Sequence, residues 1–99
     1  KEIPVSAYMV FIRDKMLDAD QYAQYLQTAA PTLAAYGGEI LVLNGANQAL
    51  EGAPIDGAVV LRFPDMASAR AWYDSPEYAA VKGQRITATE GRAILVESL

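Results

Sequence analysis

The run Phe63-Pro64-Asp65-Met66-Ala67-Ser68-Ala69-Arg70-Ala71-Trp72-Tyr73-Asp74-Ser75-Pro76-Glu77-Tyr78 decides the fold, because it ends a strand and then starts two helices ten residues apart. Asp65 stands where a carboxylate caps a helix, and Met66, Ala69, Trp72 and Tyr73 give that helix an apolar side. Ser75 followed by Pro76 is a second cap with proline at the first helical position. A further helical piece is therefore expected from Pro76 towards Arg85 at a changed angle.

Working outward, Gly57 to Phe63 reads as the strand before these helices and Arg92 to Glu97 as the strand after them. The first half of the chain has the same order. Val5 to Ile12 is rich in β-branched and aromatic residues, and the charges Arg13-Asp14-Lys15 are expected to end that strand. Asp18 with Gln21 forms a capping box, after which Tyr22, Leu26, Ala29, Leu33 and Tyr36 recur at helical spacing. Pro31 predicts a kink near Gln27 to Pro31, and Gly37-Gly38 stops the helix. Glu39 to Asn44 is the remaining strand. The connection from Gly45 to Asp56 is long for a hairpin, a length typical of loops that make contacts or carry function.

Strand-helix-strand twice over predicts an α+β, ferredoxin-like βαββαβ domain spanning residues 1–99, with a four-stranded antiparallel sheet and right-handed crossovers that put the helices on one face. The strands, however, are apolar on both sides. Val59, Leu61 and Phe63 alternate with Ala58, Val60 and Arg62; Ala7, Met9 and Phe11 alternate with Tyr8, Val10 and Ile12. Ile40 and Val42 against Leu41 and Leu43, and Ala93 and Leu95 against Ile94 and Val96, repeat the pattern. A sheet with one face in water should alternate apolar with polar, so the helix-free face is expected to be covered by a second copy. The expected assembly is a homodimer through the open sheet face.

Composition narrows the chemistry. The chain has 99 residues, no Cys and no His, so disulfides, thiol nucleophiles, imidazole bases and a Ser-His-Asp triad are excluded within it. A net charge of -4 argues against nucleic acid, whose binding needs Lys and Arg to neutralise phosphates. No apolar run approaches the ~20 residues of a membrane span, and the amino terminus lacks a signal-peptide pattern. A soluble, cytoplasmic protein without a cofactor or metal is the expectation.

Phe63-Pro64, the run Ala69 to Tyr78, Arg85, and upstream Tyr22, Tyr25, Pro31 and Gly37-Gly38 together resemble the DUF1330 family of the dimeric α+β barrel superfamily. The resemblance covers nearly the whole chain and implies a ferredoxin-like subunit that pairs into a barrel. It implies no reaction, although other superfamily members perform oxygenase, isomerase or haem chemistry. The family tends to carry Arg-Gly-Gly where this chain has Leu43-Asn44-Gly45, and Glu where it has Arg62.

Six residues are candidates for ligand binding: Tyr8, Asn44, Arg62, Trp72, Tyr78 and Arg85. Arg62 is expected to face the inter-sheet cleft, where a guanidinium grips a carboxylate or enolate or else pairs with Glu97, Asp14 or a carboxylate of the second copy. Asn44 belongs at the opposite end of the sheet, with Tyr8 expected nearer to it than to Arg62. Trp72 and Tyr78, with Tyr73, read more readily as packing than as a stacking platform. Ser75 reads as a cap, since no base is available to activate it. Arg85 either reaches an acceptor near the barrel mouth or complements a helix C-terminus. Two functions remain: a small-molecule binding protein or cofactor-independent enzyme with its pocket in the barrel, using Tyr, Arg and Asn as oxyanion donors, or a non-catalytic dimerisation and interaction module.

Overall fold

The computed structural model describes residues 5–99. Its strands are β1 (Ala7–Met16), β2 (Glu39–Leu43), β3 (Gly57–Phe63) and β4 (Thr89–Glu97); its helices are α1 (Ala19–Ala29), α2 (Met66–Tyr73) and α3 (Pro76–Ala88). The strands form one antiparallel sheet in the order β2-β3-β1-β4, the ferredoxin-like arrangement expected from the element order.

All three N-cap bonds form, but the reciprocal half of the Asp18–Gln21 capping box does not, the Asp18 N–H donating instead to the Ala88 carbonyl at 3.1 Å. Asp18 accepts from the Gln21 backbone N–H at 3.0 Å, Asp65 from Ser68 at 2.7 Å, and the Ser75 hydroxyl from Tyr78 at 3.1 Å. Pro31 does more than kink the first helix. It ends α1 at Ala29, and two short 3-10 turns, Ala30–Thr32 and Ala34–Tyr36, carry the chain to Gly37. There a φ of 73° provides the left-handed stop that glycine adopts without strain.

Two strands are longer than the sequence suggests. β1 starts at Ala7 rather than Val5 and runs through Arg13-Asp14-Lys15 to Met16, because each charge finds a place: Arg13 bonds to Asp56, Asp14 pairs with Arg92, and the register shift between Arg13 and Lys15 absorbs Asp14. β4 accordingly begins at Thr89, opposite Met16, instead of at Arg92. In β2 a second register shift lies between Ile40 and Val42. It puts Ile40 opposite Leu61 and Leu43 opposite Val59, so Ile40 and Leu43 share the helix-side face and simple alternation fails there.

The core lies between the helices and the sheet face carrying Ala7, Met9, Phe11, Leu61 and Phe63. Tyr22, Tyr25 and Ala29 of α1 pack onto it, with Trp72 of α2 and Tyr78 of α3, both essentially inaccessible. Trp72 and Tyr78 lie 4.0 Å apart between ring centroids, and the Trp72 indole N–H donates to Thr32 Oγ1 at 2.8 Å. The opposite face is bare. Val42, Ile94 and Val96 there are 40%, 57% and 46% exposed.

Candidate functional site

A cavity of about 60 Å³ lies between α1 and the β2 side of the sheet. It exists because the helices leave β2 uncovered: Ile40 and Leu43 point towards the helix layer yet stay exposed, while Tyr22, Tyr25, Leu26 and Leu33 form the facing wall. Phe11, Val59 and Leu61 make the floor. A smaller chamber of about 20 Å³ adjoins it, and Phe11, Tyr22, Val59 and Arg85 line both.

Arg85, on the last turn of α3, is the charged group lining the larger cavity. Its guanidinium lies over the Phe11 ring at 4.9 Å, and its Nε donates to the Tyr78 hydroxyl at 3.2 Å. Among the described residues no carboxylate pairs with it. The other four arginines are all paired: Arg13 with Asp56, Arg62 with Glu39, Arg70 with Asp74, and Arg92 with Asp14. Burial works against the Arg85 charge, yet the neighbouring Tyr78, Tyr25 and Tyr73 outweigh it and hold the pKa above its ordinary value. Arg85 is thus a half-buried cation with two terminal amino groups that bond to no protein acceptor among the described residues.

Beside it the Tyr25 and Tyr78 hydroxyls are 2.8 Å apart in the core. Burial first, and then the neighbouring Tyr78, pushes the Tyr25 pKa well above the ordinary tyrosine value, so Tyr25 is a neutral hydroxyl at physiological pH.

The far end of the cleft is organised by Arg13. Its Nη1 donates to Asn44 Oδ1 at 2.9 Å, its Nε to Asp56 Oδ2 at 3.1 Å and its Nη2 to the Asp56 carbonyl at 3.0 Å. The guanidinium stacks 4.7 Å above Tyr22, and Asn44 Nδ2 donates to the Tyr22 hydroxyl at 3.1 Å. Gly57, the cross-strand partner of Arg13, makes the room: a Cβ there would fall on Arg13 Nη2 and 2.7 Å from Asn44 Oδ1. Asn44 itself sits at a φ of 54°, a left-handed position asparagine tolerates.

The six candidates therefore separate. Arg85 lines the cleft; Tyr78 supports it from behind; Trp72 contributes an edge of the cavity wall from the core; Asn44 lines the smaller chamber. Arg62 and Tyr8 are elsewhere. Arg62 pairs with Glu39, its cross-strand neighbour on β2, and not with Glu97 or Asp14; its Nε donates at 2.8 Å. Hydrogen bonding to Glu39 raises the Arg62 pKa. Tyr8 lies directly opposite Arg62 rather than near Asn44, because β1 runs antiparallel to β3 and its start meets the end of β3. Arg13, Tyr22 and Tyr25 were missed as site residues. The available signals were Arg13 two positions beyond Phe11 on the same face, and Tyr22 and Tyr25 on the inward stripe of α1. Ser75 is a cap: its hydroxyl also donates to the Trp72 carbonyl at 2.7 Å.

Among the described residues no helix is long and apolar enough to cross a membrane. No curated protein matches the chain. Solved structures do. A protein of unknown function from Rhodopseudomonas palustris superposes with a TM-score of 0.71 at 20% identity, covering 99% of this chain and 85% of its own. A cofactor-independent oxygenase, SnoaB from Streptomyces nogalater, gives 0.65 at 10% identity, covering 94% and 91%. A dimeric ferredoxin-like protein of unknown function from Thermobifida fusca gives 0.62 at 20% identity, covering 97% and 92%. At these identities the likeness is one of fold. The model of a domain of unknown function, DUF1330, matches residues 6–99, and the chain belongs to that family.

Proposed function

We propose that this domain binds a small organic carboxylate in the cleft between α1 and the sheet. The observation that carries this reading is Arg85: of five arginines it is the one without an acidic partner among the described residues, and it overhangs an apolar cavity. A half-buried cation without a counter-ion costs free energy that an incoming carboxylate recovers through charge-assisted, bidentate hydrogen bonds. The apolar walls formed by Leu26, Leu33 and Leu61 suit a short hydrocarbon body. With tyrosine hydroxyls beside the cation, the same arrangement serves either as a binding site or as an oxyanion-stabilising site for cofactor-independent chemistry.

Calorimetric titration with 3-methylbutanoate and with its neutral amide tests the reading. The acid should bind and the amide should not, and Arg85→Gln should weaken the acid by roughly 10- to 100-fold, the equivalent of about 1.5–3 kcal/mol for a charged hydrogen-bonding group. Equal binding of acid and amide, or an unchanged affinity in Arg85→Gln, overturns it.

The open face supports a second reading, that the domain works as a homodimer. Val10, Val60, Ile94 and Val96 lie on the face away from the helices, and Arg62–Glu39 and Arg92–Asp14 form its charged rim. Sedimentation of the wild type should give a dimer at micromolar concentration and Val60→Asp a folded monomer; a monomeric wild type refutes this assignment.

A further inference from the structure

Either hydroxyl of the tyrosine pair beside Arg85 can be the donor, and burial selects between them. Tyr78 is completely buried, its oxygen accepts from Arg85 Nε, and the one acceptor for its own proton among the described residues is the Tyr25 oxygen at 2.8 Å. A buried hydroxyl keeps its hydrogen bonds, so Tyr78 donates to Tyr25. The Tyr25 proton is then left without a protein acceptor, on a side chain that lines the cavity where Tyr78 does not. Arg85, Tyr78 and Tyr25 form a one-way chain of donors ending at the ligand space.

We infer that the Tyr25 hydroxyl donates to a second ligand oxygen next to the carboxylate, and that the ligand class is the short-chain 2-oxo acids. The inference rests on the carboxylate reading of Arg85. Adjacency follows from the geometry, since one hydroxyl separates the guanidinium from Tyr25. A carbonyl is selected over a hydroxyl because, among the described residues, the cleft side chains offer protons and no unengaged acceptor: the Tyr25 oxygen is taken by Tyr78, the Tyr22 oxygen accepts from Asn44, and Phe11, Leu26 and Leu61 are apolar. A 2-hydroxy acid would bring a proton that meets no unengaged protein acceptor among the described residues, and a plain acid would leave the Tyr25 proton unsatisfied.

The test is competitive calorimetry with three matched probes: 3-methyl-2-oxobutanoate, 2-hydroxy-3-methylbutanoate and 3-methylbutanoate. The oxo acid should bind about tenfold more tightly than either of the others, the equivalent of roughly one hydrogen bond. Tyr25→Phe should erase that preference, and Tyr22→Phe should retain it. If none of the acids binds, this inference falls together with the carboxylate reading. If all three bind alike, or if Tyr22→Phe rather than Tyr25→Phe abolishes the preference, this inference alone is overturned. Should Tyr25→Phe fail to fold, the wild-type ranking and the Tyr22→Phe ranking still decide.

Discussion

Gly57→Ala is a sharp probe of the polar end of the cleft, because its cost should belong almost wholly to one other residue. The new Cβ would occupy the space of the Arg13 guanidinium, and Gly57 has no positive φ, so alanine meets no backbone strain there. Displacing Arg13 sacrifices its three side-chain hydrogen bonds, to Asn44, to the Asp56 carboxylate and to the Asp56 carbonyl. Roughly 1 kcal/mol for each bond, with the Asp56 carboxylate kept low because it is 44% exposed, gives a loss of about 2–3 kcal/mol. In a domain of this size that is a fall in Tm of roughly 10–20 °C. The assay is a double-mutant cycle by urea unfolding. In an Arg13→Ala background the clash is gone, the Asn44 amide is free to turn aside, and Gly57→Ala should be neutral or slightly stabilising through the unfolded chain. The coupling energy should therefore approach 2–3 kcal/mol. If Gly57→Ala costs as much without Arg13 as with it, the cradle is not what Gly57 provides and the reasoning fails.

Three further outcomes are expected. Tyr25, whose pKa rises on folding, contributes stability that is complete below its unfolded value of 10.0 and is lost as the pH climbs towards the folded value, because the unfolded chain ionises first. Unfolding free energy should drop by about 1.4 kcal/mol per pH unit above that point on account of this group, and urea titrations of Tyr25→Phe at pH 9 to 11 should show the slope diminished. Ser75→Ala removes both the bond from the Tyr78 N–H and that to the Trp72 carbonyl, so a loss of about 1–2 kcal/mol is expected, larger than for Asp65→Ala at its exposed cap. Asn44→Gly should be milder than Asn44→Ala by about 1 kcal/mol, since both lose the bond from Arg13 but only alanine pays for the left-handed backbone; equal midpoints would remove that account.

The fold was legible where local chemistry and long-range packing agree. Asp18, Asp65 and Ser75 announced three helix starts from a few neighbouring residues each, and the two-sided apolar strands showed a sheet with one face bare. What escaped was whatever depended on a distant partner. Arg13-Asp14-Lys15 looked like a strand terminator because Asp56 and Arg92, which make those charges tolerable, lie 43 and 78 residues away in sequence. Glu39 was overlooked as the partner of Arg62 because the register of β2 on β3 is set across the loop from Asn44 to Asp56, which no local pattern fixes. A pocket was expected in the barrel, but Tyr22 and Tyr25 of α1 were not assigned to it. An inward tyrosine serves as core or as pocket wall, and its hydroxyl partner decides between them.

The register shift in β2 also bears on how the molecule grows. β2 is an outer strand of the sheet, short and with all five residues exposed, and such an edge invites another chain to extend the hydrogen-bonded ladder indefinitely. The slip between Ile40 and Val42 spoils the even spacing of donors and acceptors that a visiting strand would need. Under the proposed homodimer, that slip disfavours open-ended ribbons on the β2 side, and a two-fold partner on the broad flat surface would close the assembly and leave nothing over to recruit a third.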